Sequence, residues 1–238
     1  MGGVPTVSQL IISEVFGPTV QGEGALVGKP TVFVRSGGCD YRCSWCDTLY
    51  AVEKKYKNEW QTLSTEEVWA QIQALSPTPI LITLSGGNPA LQDFAELIRI
   101  GHEAGYTFAM ETQGSLSKQW FTDIDYLTLS PKPPSSEMET RWENFDKCLA
   151  LARSKEAVSI KLVVANDEDF AWAQDVKSRY ASYPFYLQPC NLDAEEVTLE
   201  QGLQSTRELI DRVVNVGWHE ATVLPQLHNI LWGTQRGV

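Results

Sequence analysis

Residues 80–112 read ILITLSGGNPALQDFAELIRIGHEAGYTFAMET, and this stretch decides the fold. Residues 80–84 are a short apolar run, the mark of a buried strand. Ser85-Gly86-Gly87-Asn88-Pro89 breaks the run, as Gly and Pro do at turns. Residues 91–104 then follow helical spacing, with Leu91, Phe94, Ala95 and Ile98 on one face and Gly105 as a C-terminal stop. Residues 107–110 are apolar again. Strand, helix and strand in roughly thirty residues make a βαβ unit, which sets two strands parallel.

The same alternation extends outward on both sides. Residues 31–35 (TVFVR), 126–129, 159–164, 184–187 and 222–224 read as strands. Residues 64–75, 145–153, 168–180 and 199–214 read as helices; in the first, Ser64 and Glu67 have capping-box spacing ahead of Val68, Ile72 and Leu75. The expectation is a parallel α/β sheet with crossover helices, in one domain spanning residues 1–238. The polar loops fall in register with it. Cys39–Cys46, Ser85–Pro89, Glu111–Gly114, Ser130–Pro134, Gln188-Pro189 and Pro225–His228 each follow a strand. In a parallel barrel all six open on one face, where active sites sit.

Composition narrows the function classes. The 238 residues are 43% hydrophobic and 21% charged, ordinary for a soluble enzyme. A formal net charge of −11 argues against a broad nucleic-acid-binding face, which needs clustered Lys and Arg. No apolar run is long enough to span a membrane. Met1-Gly2-Gly3-Val4-Pro5 lacks the pattern of a signal peptide. With Thr6 it nominally fits a myristoylation motif, which nothing else supports. An odd count of five cysteines, three of them clustered, points away from disulfides and to a reducing, cytoplasmic setting.

That cluster is Cys39-Asp40-Tyr41-Arg42-Cys43-Ser44-Trp45-Cys46, spaced C-x3-C-x2-C. Structural zinc usually takes four ligands in two separated pairs. Cys148, on the apolar face of a helix with Phe145, Leu149 and Ala152, reads as core, and Cys190 as a spectator. Catalytic zinc would enlist histidine, and only His228 is a spatial candidate. The third reading carries the most weight: a [4Fe-4S] cluster held by three cysteines, with one iron open to a cosubstrate.

The cysteine spacing resembles the cluster motif of the radical S-adenosylmethionine (SAM) enzymes, in which SAM chelates the open iron. Ser85-Gly86-Gly87-Asn88-Pro89 is similar to their GGEP loop, whose backbone receives the SAM amino group, with Asn88 in place of Glu. The resemblance narrows to the 7-carboxy-7-deazaguanine synthases and runs nearly the whole chain. Its landmarks are Gln21-Gly22-Glu23-Gly24, Phe33-Val34-Arg35, Cys46-Asp47-Thr48, Glu111-Thr112-Gln113-Gly114, Ser130-Pro131-Lys132, and Leu224-Pro225-Gln226-Leu227-His228 with Arg236-Gly237-Val238.

The resemblance implies a partial or modified (βα)6 barrel whose C-terminal tail closes the active site. It implies ring contraction of 6-carboxy-5,6,7,8-tetrahydropterin to 7-carboxy-7-deazaguanine with loss of ammonia, on the route to queuosine. There the reduced cluster cleaves SAM to a 5′-deoxyadenosyl radical, which takes hydrogen from C6; Mg²⁺ orients the substrate, and SAM is regenerated. Cys39, Cys43 and Cys46 would hold the cluster and Thr48 the Mg²⁺, with Asp47 behind it. Thr48 read from sequence alone is a helix or turn cap. Trp45, Cys46, Asp47, Gly86, Gly87, Ser130, Pro131, Lys132 and Gln188 would contact SAM.

Val20, Gln21, Gly22, Glu23, Arg35, Ser85, Glu111, His228 and the Val238 carboxylate would contact the pterin. Glu23 and Glu111 are the candidate proton-transfer groups. The chemistry of these side chains is compatible with those roles. Gln21 and Glu23 can pair with a guanidine-like edge, although a polar turn explains Gln21–Gly24 as well. Arg35 ends an apolar strand and suits bidentate binding of a carboxylate. Glu111 ends another, where an unpaired carboxylate is costly; it meets either the substrate or a barrel lysine such as Lys161. His228 contacts the pterin or packs in the core. A flavodoxin or ferredoxin as electron donor and a homodimer are expected from the resemblance alone, and neither nucleic acid nor membrane is an expected partner. Two rivals are a radical SAM activase acting on a protein, and an iron–sulfur or zinc protein used for electron transfer or binding.

Overall fold

In the computed structural model, which describes residues 9–191, 198–233 and 235–238, nine strands share one sheet. They are β1 (Gln9–Val20), β2 (Pro30–Ser36), β3 (Gln61–Ser64), β4 (Leu81–Gly86), β5 (Thr107–Thr112), β6 (Tyr126–Leu129), β7 (Val158–Val164), β8 (Phe185–Pro189) and β9 (Ala221–Val223). The order is β3-β1-β2-β4-β5-β6-β7-β8-β9. The seven strands expected from the sequence are β2 and β4 to β9, and all pair in parallel. The sheet stays open, as a partial barrel does.

The expectation of a purely parallel sheet needs correction. β1 and β3 form an antiparallel edge beside β2. β1 is hard to read because its alternation slips: pairing with β2 shifts register between Ile12 and Glu14 and again between Phe16 and Thr19. Such bulges reverse which face a side chain meets.

The helices are α1 (Leu49–Val52), α2 (Thr65–Leu75), α3 (Ala95–Glu103), α4 (Trp142–Leu151), α5 (Asp167–Arg179), α6 (Leu199–Asn215) and α7 (Leu227–Trp232). α2 starts at the expected capping box, with Glu67 N donating to Ser64 Oγ and Ser64 N to Glu67 Oε2. α3 begins four residues later than its periodicity suggested. Pro89–Leu91 form a 3-10 turn capped by Asn88, and Asp93 accepts from Ala95 N at 3.0 Å to start the helix. Leu91 is consequently exposed and lies off the apolar face. Between β5 and β6 the crossover has no α-helix; a 3-10 turn, Gln119–Asp123, buries Trp120 and Phe121 in its place.

Strand side chains alternate with a period of two, and the two faces of this sheet differ in kind. One carries Val32, Val34, Ile82, Leu84, Ile160 and Leu162, each fully buried with the helices in the main core, which also contains Cys148. The other is polar. Thr31 and Thr83 share a hydrogen bond of 2.8 Å, as do Thr128 and Ser159 at 3.2 Å, and Lys161 and Gln188 are buried there. The turn after β1 plugs this face, with Leu26 packed on Leu81 and Ala109. The polar face thus has an apolar floor and opens at the strand ends.

Among the described residues no helix is long and apolar enough to cross a membrane. The Met1–Thr6 motif lies outside them.

Candidate active site

The cysteine loop leaves β2 through Gly37 and Gly38 and is braced at both ends. Gly38 N donates to Ala51 O at 2.7 Å. Ser44 N and Oγ donate to the carbonyls of Ser136 and Ser135, Trp45 Nε1 to Ser135 Oγ, and the Tyr41 hydroxyl to Glu139 O. Ser135 rests in turn on the fully buried Asp169, which accepts from its amide and its hydroxyl. Within the loop, Cys46 N donates to Cys43 O at 3.2 Å. Cys39 Sγ accepts from Tyr41 N at 3.4 Å and from Gln113 Nε2 at 3.6 Å.

All three loop thiols are half-buried. Burial pushes each of them up, Cys46 to about 12, and Asp47 adds to that shift. Lys132 pulls Cys39 and Cys43 the other way. Among the described residues no three His, Cys, Asp or Glu side chains already close around one point. The donor set nevertheless fits a three-cysteine cluster: each thiol lies in the field of another, and buried thiols become thiolates when a cationic centre is bound. His228 is spent elsewhere, against Gly22, where an added Cβ would come within 2.3 Å of its Nδ1. The catalytic-zinc reading that enlisted it has no support.

The glycine turn after β4 lies directly on the chain that leads to the cysteines. Gly86 has φ +122°, and a Cβ on Gly87 would lie 2.0 Å from Gly38 O, so neither position admits a side chain. Gly87 N and Asn88 N donate to the carbonyls of Ser36 and Gly38. An ammonium only donates, so it would be received by carbonyls of the turn. Ser85 Oγ is buried with no partner among the described residues.

Of the other positions assigned to SAM, Ser130 and Gln188 are buried at the ends of β6 and β8. Pro131 is buried beside Ser130. Lys132 Nζ donates to Ser130 Oγ at 3.2 Å and stands 5.9 Å from the Trp45 ring. Trp45, Cys46 and Lys132 therefore gather on one side of the mouth. Cys190 follows β8, its amide bonded to Val164 O, and burial pushes its thiol to about 12.

A second group comes from the two ends of the chain. Lys161, in the middle of β7, is only 4% exposed and pairs with both Glu23 and Glu111. Glu23 also accepts from Gln226 Nε2 at 2.6 Å, and Gln226 Oε1 accepts from the side-chain amides of Asn191 and Asn229. Burial would raise the Glu23 carboxyl, but the Lys161 ammonium and His228 outweigh it and hold it well below the carboxylate range. Burial would lower Lys161, and Glu111 and Glu23 together hold it above its ordinary value. The lysine alternative for Glu111 is therefore the one realised, and Glu23 shares the same cation. Glu111 is 27% exposed, so its carboxyl group reaches the mouth.

The QGEG segment is both a turn and part of this group. Gln21 N donates to Lys29 O, Gly28 N to Gln21 O, and Gln21 Oε1 accepts from Gly22 N at 2.8 Å. Val20 ends β1 half-buried beside it. Leu227 N donates to Gly22 O at 2.9 Å, which docks α7 on the turn.

Arg35 is already paired within the protein. Its Nε is 2.7 Å from Glu14 Oε1, and its guanidinium stands over the Phe16 and Tyr50 rings. The Tyr50 hydroxyl donates to the same Glu14 oxygen, and Arg236 lies 3.4 Å from the Tyr50 ring centre. Glu14 escaped notice because the bulges of β1 hide its facing. Arg35 can still offer its terminal nitrogens, but as half of an ion pair. Val238, two residues beyond Arg236, is half-buried.

Thr48 sits at the N-cap of α1 yet makes no capping bond; its hydroxyl donates to Asp47 Oδ1 at 2.7 Å. The cap reading fails, and the oxygen retains its lone pairs.

Known proteins share this sequence pattern and fold. The radical SAM superfamily model matches residues 33–155. A 7-carboxy-7-deazaguanine synthase of Bacillus subtilis is 41% identical over 240 residues, covering 95% of this chain and 98% of its own length. That of Bacillus cereus is 40% identical, covering 98% and 100%. The crystal structure of QueE from Escherichia coli has the same fold, with a TM-score of 0.69 at 23% identity over 91% of this chain and 94% of that one.

Proposed function

The chain belongs to the 7-carboxy-7-deazaguanine synthase family of radical SAM enzymes, and from that premise we propose how its mouth is used. The reaction is ring contraction of 6-carboxy-5,6,7,8-tetrahydropterin to 7-carboxy-7-deazaguanine with release of ammonia. The cluster and SAM, when bound, supply the hydrogen-abstracting radical that starts it. Everything else is positioning and exclusion of water.

Cys39, Cys43 and Cys46 hold the cluster. Trp45, Cys46, Asp47, the Gly86-Gly87 turn, Ser130, Pro131, Lys132 and Gln188 surround SAM. The pterin lies on the polar face of the sheet. Its guanidine-like edge donates to Glu111, and to Glu23 where Gln226 leaves room. Gln21, Gly22, Val20, Ser85 and His228 complete the seat, and Arg35 and the Val238 carboxylate border it. Thr48, backed by Asp47, offers Mg²⁺ one oxygen, which suits an ion that keeps most of its waters. The chain acts as one catalytic unit, as a homodimer, with a flavodoxin or ferredoxin as electron donor.

The observation that carries the pterin seat is the buried Lys161 between Glu23 and Glu111. A carboxylate kept ionised beside a mouth is an acceptor for N–H groups, and charge-assisted bonds of that kind are about twice as strong as neutral ones. Lys161 also argues against Glu23 as a general acid, since it favours the ionised form of that carboxylate. The test is an anaerobic assay with SAM, reductant, Mg²⁺ and 6-carboxytetrahydropterin. Release of ammonia with the deazaguanine product is expected. SAM cleavage with neither product would refute the assignment.

A further inference from the structure

The glycine turn departs from the GGEP pattern at Asn88, and the structure supplies a reason for the amide. Asn88 is fully buried, and all four of its side-chain hydrogen-bonding positions are used. Its Oδ1 accepts from Ala90 N at 3.1 Å and Thr112 Oγ1 at 2.8 Å. Its Nδ2 donates to Asp40 Oδ1 at 2.8 Å and Ser115 Oγ at 3.1 Å. Ala90 N can only donate, so the amide is fixed with its NH₂ toward Asp40. Glutamate here would accept only, and would face the Asp40 carboxylate.

Asp40 has a second amide partner. Gln113, 6% exposed, donates from Nε2 to the same Asp40 Oδ1 at 2.8 Å and lies 3.6 Å from Cys39 Sγ. Asp40 Oδ2 is buried with no partner among the described residues. A carboxylate is thus held against the first cluster cysteine by two neutral amides and by no counter-ion in those contacts. Gln113 is two residues beyond Glu111, so the end of β5 serves both the cysteine loop and the pterin seat.

We propose that Asn88 and Gln113 are positioning residues that clamp Asp40 beside Cys39, and that Asp40 is a fixed negative charge lowering the reduction potential of the cluster. This rests on the reading that Cys39, Cys43 and Cys46 carry the cluster. Net charge and hydrogen bonds near the sulfurs are what set such potentials. The clamp needs one donor facing one acceptor between positions 40 and 88, and either residue can supply either part.

The test uses the full chain, first without metal and then after anaerobic reconstitution with iron and sulfide. Asp40→Asn keeps an acceptor for both amides and removes the charge. The potential, read by EPR-monitored redox titration, should rise. A rise that gives about tenfold more reduced cluster at fixed potential is 59 mV for a one-electron couple. Asn88→Asp sets carboxylate against carboxylate; the apo-protein should melt lower, and iron should pass to a chelator about tenfold faster. Asp40→Asn with Asn88→Asp re-creates the donor–acceptor pair in reverse and should recover both. An unchanged potential in Asp40→Asn, or a double variant no better than Asn88→Asp, overturns the proposal. Parent protein that takes up no iron overturns the cluster reading itself, and the proposal with it.

Discussion

Replacing Lys161 with Met removes the ammonium from between two carboxylates while keeping most of the side-chain volume. Glu23 and Glu111 both pair with Lys161 Nζ. Two oxygens that share one donor are within roughly 6 Å of each other. At an effective dielectric of about 20, their repulsion at that distance is about 3 kcal/mol. This lies in the range of about 3–5 kcal/mol for breaking a buried ion pair from one side. For a chain of this length, each kcal/mol moves the melting temperature by about 2–4 °C, so the variant should melt roughly 10 °C lower at neutral pH.

The pH dependence of stability should also change. In the parent, Glu23 is held below its ordinary value of 4.5, so its contribution is present above that pH and lost as acid approaches the folded value. Lys161 is held above 10.5, so its contribution is present below that pH and lost only as base passes the folded value. Between those limits neither Glu23 nor Lys161 adds to the pH dependence of stability. In Lys161→Met one carboxyl of the pair takes up a proton in the native state, so stability should rise as pH falls from 7 to 5. Thermal melts of the apo-protein across that range test both points. A variant that melts within about 2 °C of the parent, with the same pH slope, would refute the reasoning.

Other changes read other parts of the mouth. Glu111→Gln should leave the fold intact, because Lys161 keeps Glu23, but lower kcat/KM at least about tenfold through a lost charge-assisted bond, mostly in KM. Gly87→Ala places a Cβ 2.0 Å from Gly38 O; an unfolding free energy in urea lowered by about 1–3 kcal/mol and weaker SAM binding by equilibrium dialysis are expected. Thr48→Ala should blunt the Mg²⁺ dependence of turnover while iron content stays at the parent level; loss of iron would mean that its role is misplaced. Ser64→Ala should cost about 1 kcal/mol from the α2 cap in chemical denaturation and leave turnover unchanged.

The seven parallel strands were legible because each is a short apolar run bounded by Gly, Pro or polar residues, and α2 because its capping box is local. β1 was not, since its bulges break the alternation on which strand reading depends. The late start of α3 follows from Asp93 capping Ala95, a side-chain choice that helical periodicity does not register. The site divides the same way. The cysteine triad and the glycine turn are contiguous and announce themselves. Lys161 stood out only as a charge inside the apolar run VSIKLVV, and its two partners are 138 and 50 residues away. Gln226 and Gln113 lay in motifs that were noticed, yet neither their partners Glu23 and Asp40 nor their place behind the contact residues could be read from spacing.

The bond from Gln226 to Glu23 joins residues 203 apart in sequence, and this orders the molecule in time. The contacts that draw the cysteine loop to the β4 and β5 turns need the chain only as far as Ser115, and its brace at Ser135 comes soon after. The pterin seat needs α7 laid on the turn after β1, so it cannot form until Leu227–Trp232 has been made. A nascent chain would hold the three thiols long before it could hold a substrate. That closure is among the widest in the site, and clipping α7 would leave an intact cysteine loop beside an unfinished seat.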